Sequence, residues 1–143
     1  MWKVLSSSSM ERQMEILSEF CELEAGLHSL DWRILEEEDT GRFNDPWSFI
    51  DEYLDMGRFF LKSIDTAAGF KSAMKWLEER RDLVPCGKPC PVHLDFHPGN
   101  VIIRDDGKNF VIDWTQVSVS DYRFDLSWTM LLMSTYMERK YRE

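Results

Sequence analysis

At 143 residues the chain is long enough for one domain with a real core, and a hydrophobic fraction of 43% excludes a disordered chain. A net charge of −9 argues against a nucleic-acid partner, because neutralising phosphate takes Lys and Arg; it reads as plain solubility or as an acidic cleft for a cationic substrate. No apolar run approaches the roughly 18 residues of a membrane span, and Met1–Ser6 is too short an apolar stretch for a signal peptide, so no membrane partner and a cytoplasmic location are expected.

Residues 1–8 read as frayed or packed on a neighbour. Ser8, with Glu11 three places on, reads as a capping box that opens a helix to about Ser29. Ile16, Phe20, Leu23, Leu27 and Leu30 form its apolar stripe, widened by Met10, Met14, Leu17 and Cys21. His28, near the end, reads as structural. Residues 31–45 contain Glu36-Glu37-Glu38-Asp39 and Gly41, a solvated acidic loop or else a rim that draws a cationic substrate. Asn44-Asp45-Pro46 starts a second helix, with Pro at its first position, to about Leu61. Trp47, Ile50, Leu54 and Leu61 share one face, with Phe49, Tyr53 and Phe60 beside them as core. Asp65-Thr66 caps a third helix to about Leu83 that buries Phe70, Met74 and Leu77. Val84 to Pro91 reads as a rigid, Pro-rich linker.

The linker leads into His93-Leu94-Asp95-Phe96-His97-Pro98-Gly99-Asn100. Two short apolar runs follow, Val101-Ile102-Ile103 and Phe110-Val111-Ile112, with Asp105-Asp106-Gly107-Lys108 between them, which spells a β-hairpin. Asn100 enters the hairpin and Asp113 leaves it, so the two should lie side by side, with Asp95 on the loop just before. An amide and a carboxylate oxygen can hold Mg²⁺, a hard cation that takes the rest of its shell from water and phosphate. Asp95 can accept the proton of an attacking hydroxyl. The set points to phosphoryl transfer. Cys86, Cys90, His93 and His97 are all zinc-ligand types, but structural zinc sites place a longer spacer between their ligand pairs, so no zinc is expected. The odd count of three cysteines, with Cys21, fits no disulfide framework in the cytosol. Residues 114–124 read as loop. Asp125 opens a last helix through Trp128, Leu131, Leu132 and Tyr136.

Protein kinases use His-Arg-Asp, four residues, Asn, and a later metal-binding Asp. Here the order is His93-Leu94-Asp95, four residues, Asn100, then Asp113. With His97 two places after the Asp, Pro98-Gly99-Asn100, and Asp113-Trp114, the stretch from Pro91 to Asp125 resembles the aminoglycoside phosphotransferase and choline kinase family. The resemblance implies a mainly helical α+β fold, the C-terminal lobe of a protein-kinase-like fold with a small β-hairpin carrying the catalytic loop. It implies ATP and Mg²⁺ as cofactors. The acceptor it implies is a small-molecule hydroxyl compound, of which a cationic aminoglycoside or amino alcohol is one kind. Asp95 becomes the base for that hydroxyl, and Asn100 and Asp113 the ligands of Mg²⁺ and its nucleotide. His97 either donates to a phosphoryl oxygen or shapes the loop. His93 resembles the buried His that props the catalytic loop, and Asp125 a carboxylate that accepts from the loop's amides. Gly99 lets backbone pass close to phosphate or simply permits a turn.

On this reading residues 1–143 form one domain: a helical part to 83, the catalytic loop, hairpin and metal-binding segment over 84–124, and a helix from 125. The sequence has no Gly-x-Gly-x-x-Gly loop and no strand with a phosphate-gripping Lys ahead of a helix, which the resembled family carries in an N-terminal lobe. An excised piece or a natural short form is therefore expected. The alternative function is a non-catalytic binding or regulatory module that keeps the fold. An exposed apolar surface is expected over Met1–Leu5 and Trp128–Tyr141, covered by self-association as a homodimer.

Overall fold

The computed structural model describes residues 1–35, 44–62, 68–104 and 106–140. The acidic run 36–39 with Gly41, the Asp65-Thr66 cap, Asp105 and Tyr141 lie outside the described residues, as does the side chain of Tyr136. The chain divides into two compact units, residues 1–35 with 90–143, and residues 36–89.

In the first unit the stretch expected to fray or to pack on a neighbour is a helix, α1 (Trp2–Ser7). The Met1 amine donates to the Val101 carbonyl at 2.7 Å, and Leu5 is buried. Ser6 and Ser7 in the last turn of α1 donate back to the Lys3 carbonyl, and Ser8 just past it donates its hydroxyl to the Val4 carbonyl at 2.7 Å. The cap of α2 (Met10–Ser29) therefore falls to Ser9, one residue later than expected, whose hydroxyl accepts from the Arg12 amide. Ile16, Phe20 and Leu27 of the expected stripe are buried, but Met10, Met14, Cys21 and Leu30 are exposed. The buried face is narrower than the sequence pattern, and Glu24 lies on it.

Two short antiparallel pairs follow. β2 (Val101–Ile103) pairs with β3 (Asn109–Val111), Val101 opposite Val111, which is the expected hairpin with its second strand one residue earlier. Gly107 takes φ +77 in the turn, a conformation that favours glycine, and Asp106 accepts from the Lys108 amide. β1 (Cys90–Val92) pairs with β4 (Ser118–Ser120), Cys90 opposite Ser120. This pair replaces an expected linker and an expected loop. Each strand has three residues, one holds Pro91 and the other two serines, so neither shows alternation. α5 (Tyr122–Lys140) starts ahead of Asp125, because the Asp121 carboxylate accepts from the Arg123 amide at 2.9 Å. Its buried residues Asp125 and Thr129 are polar, while Trp128 and Leu131 are exposed, within the stretch where an exposed apolar surface is expected. The core joins Phe20, Leu27, Phe96 and Val101, with Met1, Leu23 and Val111 against it. The Phe20 and Phe96 rings lie 4.7 Å apart.

The second unit pairs α3 (Ser48–Lys62) with α4 (Ala68–Glu78), followed by a 3-10 turn at Arg81–Leu83. Asp45 caps a turn by accepting from the Trp47 amide, so α3 begins two residues after Pro46. Phe49 and Leu54 are buried. Phe60 of α3, and Phe70 and Leu77 of α4, expected as core, are exposed. Gly57 admits the Met74 sulfur to 2.8 Å from where a Cβ would stand, so the two helices touch with little apolar bulk between them. The whole is the mainly helical α+β class expected, with small antiparallel sheets. No helix among the described residues is long and apolar enough to cross a membrane.

Candidate active site

β1 delivers the chain to His93 with Pro91 and Val92 fully buried. The next residue, Leu94, takes φ 60, a left-handed conformation that costs a side-chain-bearing residue about 1–3 kcal/mol. Asp125 holds it there. Its carboxylate, fully buried, accepts the His93 amide on Oδ2 and the Leu94 amide on Oδ1, both at 2.8 Å. Past Asp95 the Phe96 ring anchors in the core, and its carbonyl accepts from Thr129 Oγ1 at 2.7 Å. Asp95 is thus tied on both flanks by α5.

Asn100 closes the loop. Its Nδ2 donates to the Asp95 carbonyl at 3.0 Å and to Asp95 Oδ2 at 3.1 Å. Its own carbonyl accepts from the Ile112 amide at 2.9 Å, which joins the two ends of the hairpin. His97 Nδ1 accepts from the Gly99 amide at 3.0 Å, so a neutral ring carries its proton on Nε2, which lies 3.7 Å from Asp95 Oδ2. Trp128 Nε1 stands 3.5 Å from the other carboxylate oxygen, Oδ1. The His93 ring is buried, with Nε2 3.0 Å from the Ile112 carbonyl and the ring against Trp114 and Phe96. Its Nδ1 has no hydrogen-bond partner among the described residues. Asp113 is exposed, takes φ 64, and accepts from the Thr115 hydroxyl at 2.9 Å.

The structure therefore joins Asp95 and Asn100 by hydrogen bonds and sets the His97 ring beside them, 3.7 Å from Asp95 Oδ2. It sets Asp113 next to Ile112, the residue bonded to Asn100, and places His93 and Asp125 in the buried layer behind. Of the zinc-type residues, Cys90 Sγ donates to the Ser120 carbonyl, and His93 and His97 turn ring nitrogens to Ile112 and Gly99. Sequence reading missed Glu24 and Thr129, and it gave His28 no partner. His28 Nε2 is 3.0 Å from Asp125 Oδ2, and Glu24 Oε1 is 3.1 Å from Thr129 Oγ1. The available signal was a pair of polar i,i+4 spacings inside apolar helices, Glu24 with His28 and Asp125 with Thr129.

The model of the phosphotransferase enzyme family matches residues 3–140. The chain belongs to that family. Searches of curated proteins and of solved structures returned no match. Membership places the chain among kinase-like enzymes that transfer phosphoryl groups, as the resemblance over Pro91–Asp125 implies.

Proposed function

We propose that this phosphotransferase chain carries the acceptor side of an ATP-dependent small-molecule kinase, in the C-terminal lobe of a kinase-like fold. Its substrate is a hydroxyl on a small, cationic compound such as an aminoglycoside or amino alcohol. The observation that carries the reading is the bond from Asn100 Nδ2 to Asp95 Oδ2, which orients the carboxylate and turns Oδ1, met by Trp128 Nε1 at 3.5 Å, toward the incoming hydroxyl. Asp95 accepts or orients that proton; the loose transition state of phosphoryl transfer makes orientation the larger part. The His97 Nε2 proton can donate to a phosphoryl oxygen beside it.

The residues present fit Mg²⁺. Asn100 commits its amide nitrogen to Asp95, which leaves Oδ1 as a neutral oxygen donor, and Asp113 offers an exposed carboxylate. A cation held there supplies charge neutralisation for the phosphates. The net charge of −9 supports a cationic acceptor. Exposed Met130, Leu131 and Trp128 on α5 are where we expect self-association, read by sedimentation over a concentration series.

The test is ADP release from Mg²⁺-ATP across a panel of amino alcohols, aminoglycosides, homoserine and sugars, with wild type, Asp95→Asn and Asp113→Ala. Turnover should collapse in Asp95→Asn, and Asp113→Ala should weaken Mg²⁺-ATP binding. Unchanged turnover in Asp95→Asn overturns the mechanism.

A further inference from the structure

Glu24 is a carboxyl at 5% exposure on the stripe of α2 that also carries Phe20 and Leu27. Its Oε1 lies 3.1 Å from Thr129 Oγ1, and that hydroxyl oxygen lies 2.7 Å from the Phe96 carbonyl oxygen. A threonine hydroxyl has one hydrogen to give, and a backbone carbonyl can only accept. The hydrogen on the shorter contact is therefore Thr129's own. The hydrogen on the other contact has to come from Glu24, because two sets of lone pairs facing each other in a dry interior repel. The surroundings favour the protonated acid: burial, the largest cause, pushes the Glu24 carboxyl up and the Asp125 charge adds to it, and the net is a rise even when Thr129 is counted as a donor to the carboxylate and His28 as opposing.

The groups that face Glu24 are Asp125 on α5, and His28 and Cys21 on its own helix. Ligand-type atoms of Glu24, His28 and Asp125 lie within 4.8 Å of one another. They are already spent on the loop, since both Asp125 oxygens hold amides, Oδ2 also meets His28, and Glu24 meets Thr129.

We propose that Glu24, as a neutral acid, acts with Thr129 and His28 as a set of positioning residues for Asp95. Glu24 and Thr129 fix the carbonyl that follows Asp95, while His28 steadies the Asp125 carboxylate that fixes the amides before it. Two helices thereby grip one residue from both flanks, each through an i,i+4 pair. Ionising Glu24 breaks the bond to Thr129 and sets a second negative charge beside Asp125. The inference rests on the reading of Asp95 as catalytic, but its test needs no substrate.

Carboxyl ¹³C NMR of the full chain, with Glu24→Gln to assign the resonance, reports the protonation state directly. At neutral pH the Glu24 carbon should resonate as a neutral acid. Glu24→Gln, an uncharged isostere with a hydrogen to donate, should hold or raise the unfolding midpoint. Thr129→Val frees the Phe96 carbonyl and should speed exchange of the Asn100 amide, bonded to the His97 carbonyl just past Phe96, about tenfold, the worth of one buried hydrogen bond, while α3 and α4 amides stay as in wild type. Thr129→Ser should restore protection. An ionised Glu24 at neutral pH overturns the proposal. So does a destabilised Glu24→Gln, or a Thr129→Val effect spread evenly over the chain. Failure of the phosphotransfer reading is separate: Asp95→Asn then keeps full turnover while these NMR results stand.

Discussion

In the unit that holds Asp95, buried positions are given to His93, Asn100, Asp121, Asp125 and Thr129. In the α3–α4 unit, Phe59, Phe60, Phe70 and Trp76 stand more than half exposed, and salt bridges such as Arg58 with Asp55 and Glu78 run along the surface. The first arrangement is costly to assemble and fixes one geometry, because the Asp125, Thr129 and Asn100 groups that hold the loop have specific partners to lose. The second is inexpensive and tolerant, because solvent competes for every ion pair. A loop that holds a left-handed Leu94 beside the Asp95 carboxylate needs the first kind of support. Two helices that touch at Gly57 and Met74 do not.

The sharpest way to break this contrast is Asp125→Ala. It strands the His93 and Leu94 amides without an acceptor and removes the partner of His28. A loss on the order of 3–5 kcal/mol is expected, seen as a fall in the denaturant midpoint, with turnover lost as well. A chain with an unmoved midpoint ends the claim that this carboxylate sustains the loop. Next comes Asp95→Asn, which keeps shape and the contact with Asn100 but removes charge and base. Turnover should fall about 10²–10⁴-fold while the midpoint stays put. The pair of variants separates holding the loop from doing the chemistry.

The Glu24 carboxyl gives a smaller effect with a defined sign. Its folded value lies above the ordinary one, chiefly through burial, so the folded chain binds its proton more tightly than the unfolded chain does. The stability it contributes is complete below the ordinary carboxylate value and is lost as pH rises through the raised folded value. Within that window each pH unit removes up to about 1.4 kcal/mol. Urea midpoints taken from about pH 5 to 8 should decline more in wild type than in Glu24→Gln, with Asp125, His28 and Cys21 common to both. Parallel curves would mean that Glu24 titrates as an ordinary surface acid.

How much of this was legible in the chain follows from how local each feature is. The hairpin was readable because Val101–Ile103, Gly107 and Phe110–Ile112 carry their pattern within a few residues. The loop was readable because His93, Asp95, Asn100 and Asp113 keep a fixed spacing. The β1–β4 pair was not, since Pro91 and the serines 118 and 120 say nothing of each other until the fold sets Cys90 opposite Ser120. Glu24 and Thr129 were hidden for a related reason. A polar residue in an apolar stripe reads as noise until its partner, 105 positions away, is known. The aromatics of α3 and α4 failed in the opposite sense: periodicity marks which face is apolar, and it does not tell whether anything covers that face.

The smallest effect tests the surface side of the contrast at Arg81. Its Nε donates to Asp51 Oδ1 at 2.7 Å, a second guanidinium nitrogen meets Oδ2, and the group lies 5.3 Å from the centre of the Trp47 ring. The hydrogen bonds from Arg81 hold the Asp51 carboxyl below its usual range. For a lowered carboxylate the stability is present above the unfolded value and lost as pH falls through the folded one, so any dependence belongs on the acid side. Arg81→Gln should lower the midpoint only slightly and flatten that acid limb. Arg81→Lys keeps the charge but not the planar fork, and it should behave like Gln if two-point bonding and stacking matter, or like wild type if charge alone does. Salt sharpens the choice: near 1 M the Debye length is about 3 Å, so the ionic part of the difference shrinks while stacking on Trp47 persists. A large, salt-insensitive loss in both variants would place Arg81 in the same class as Asp125, and the contrast between the two units would then fail.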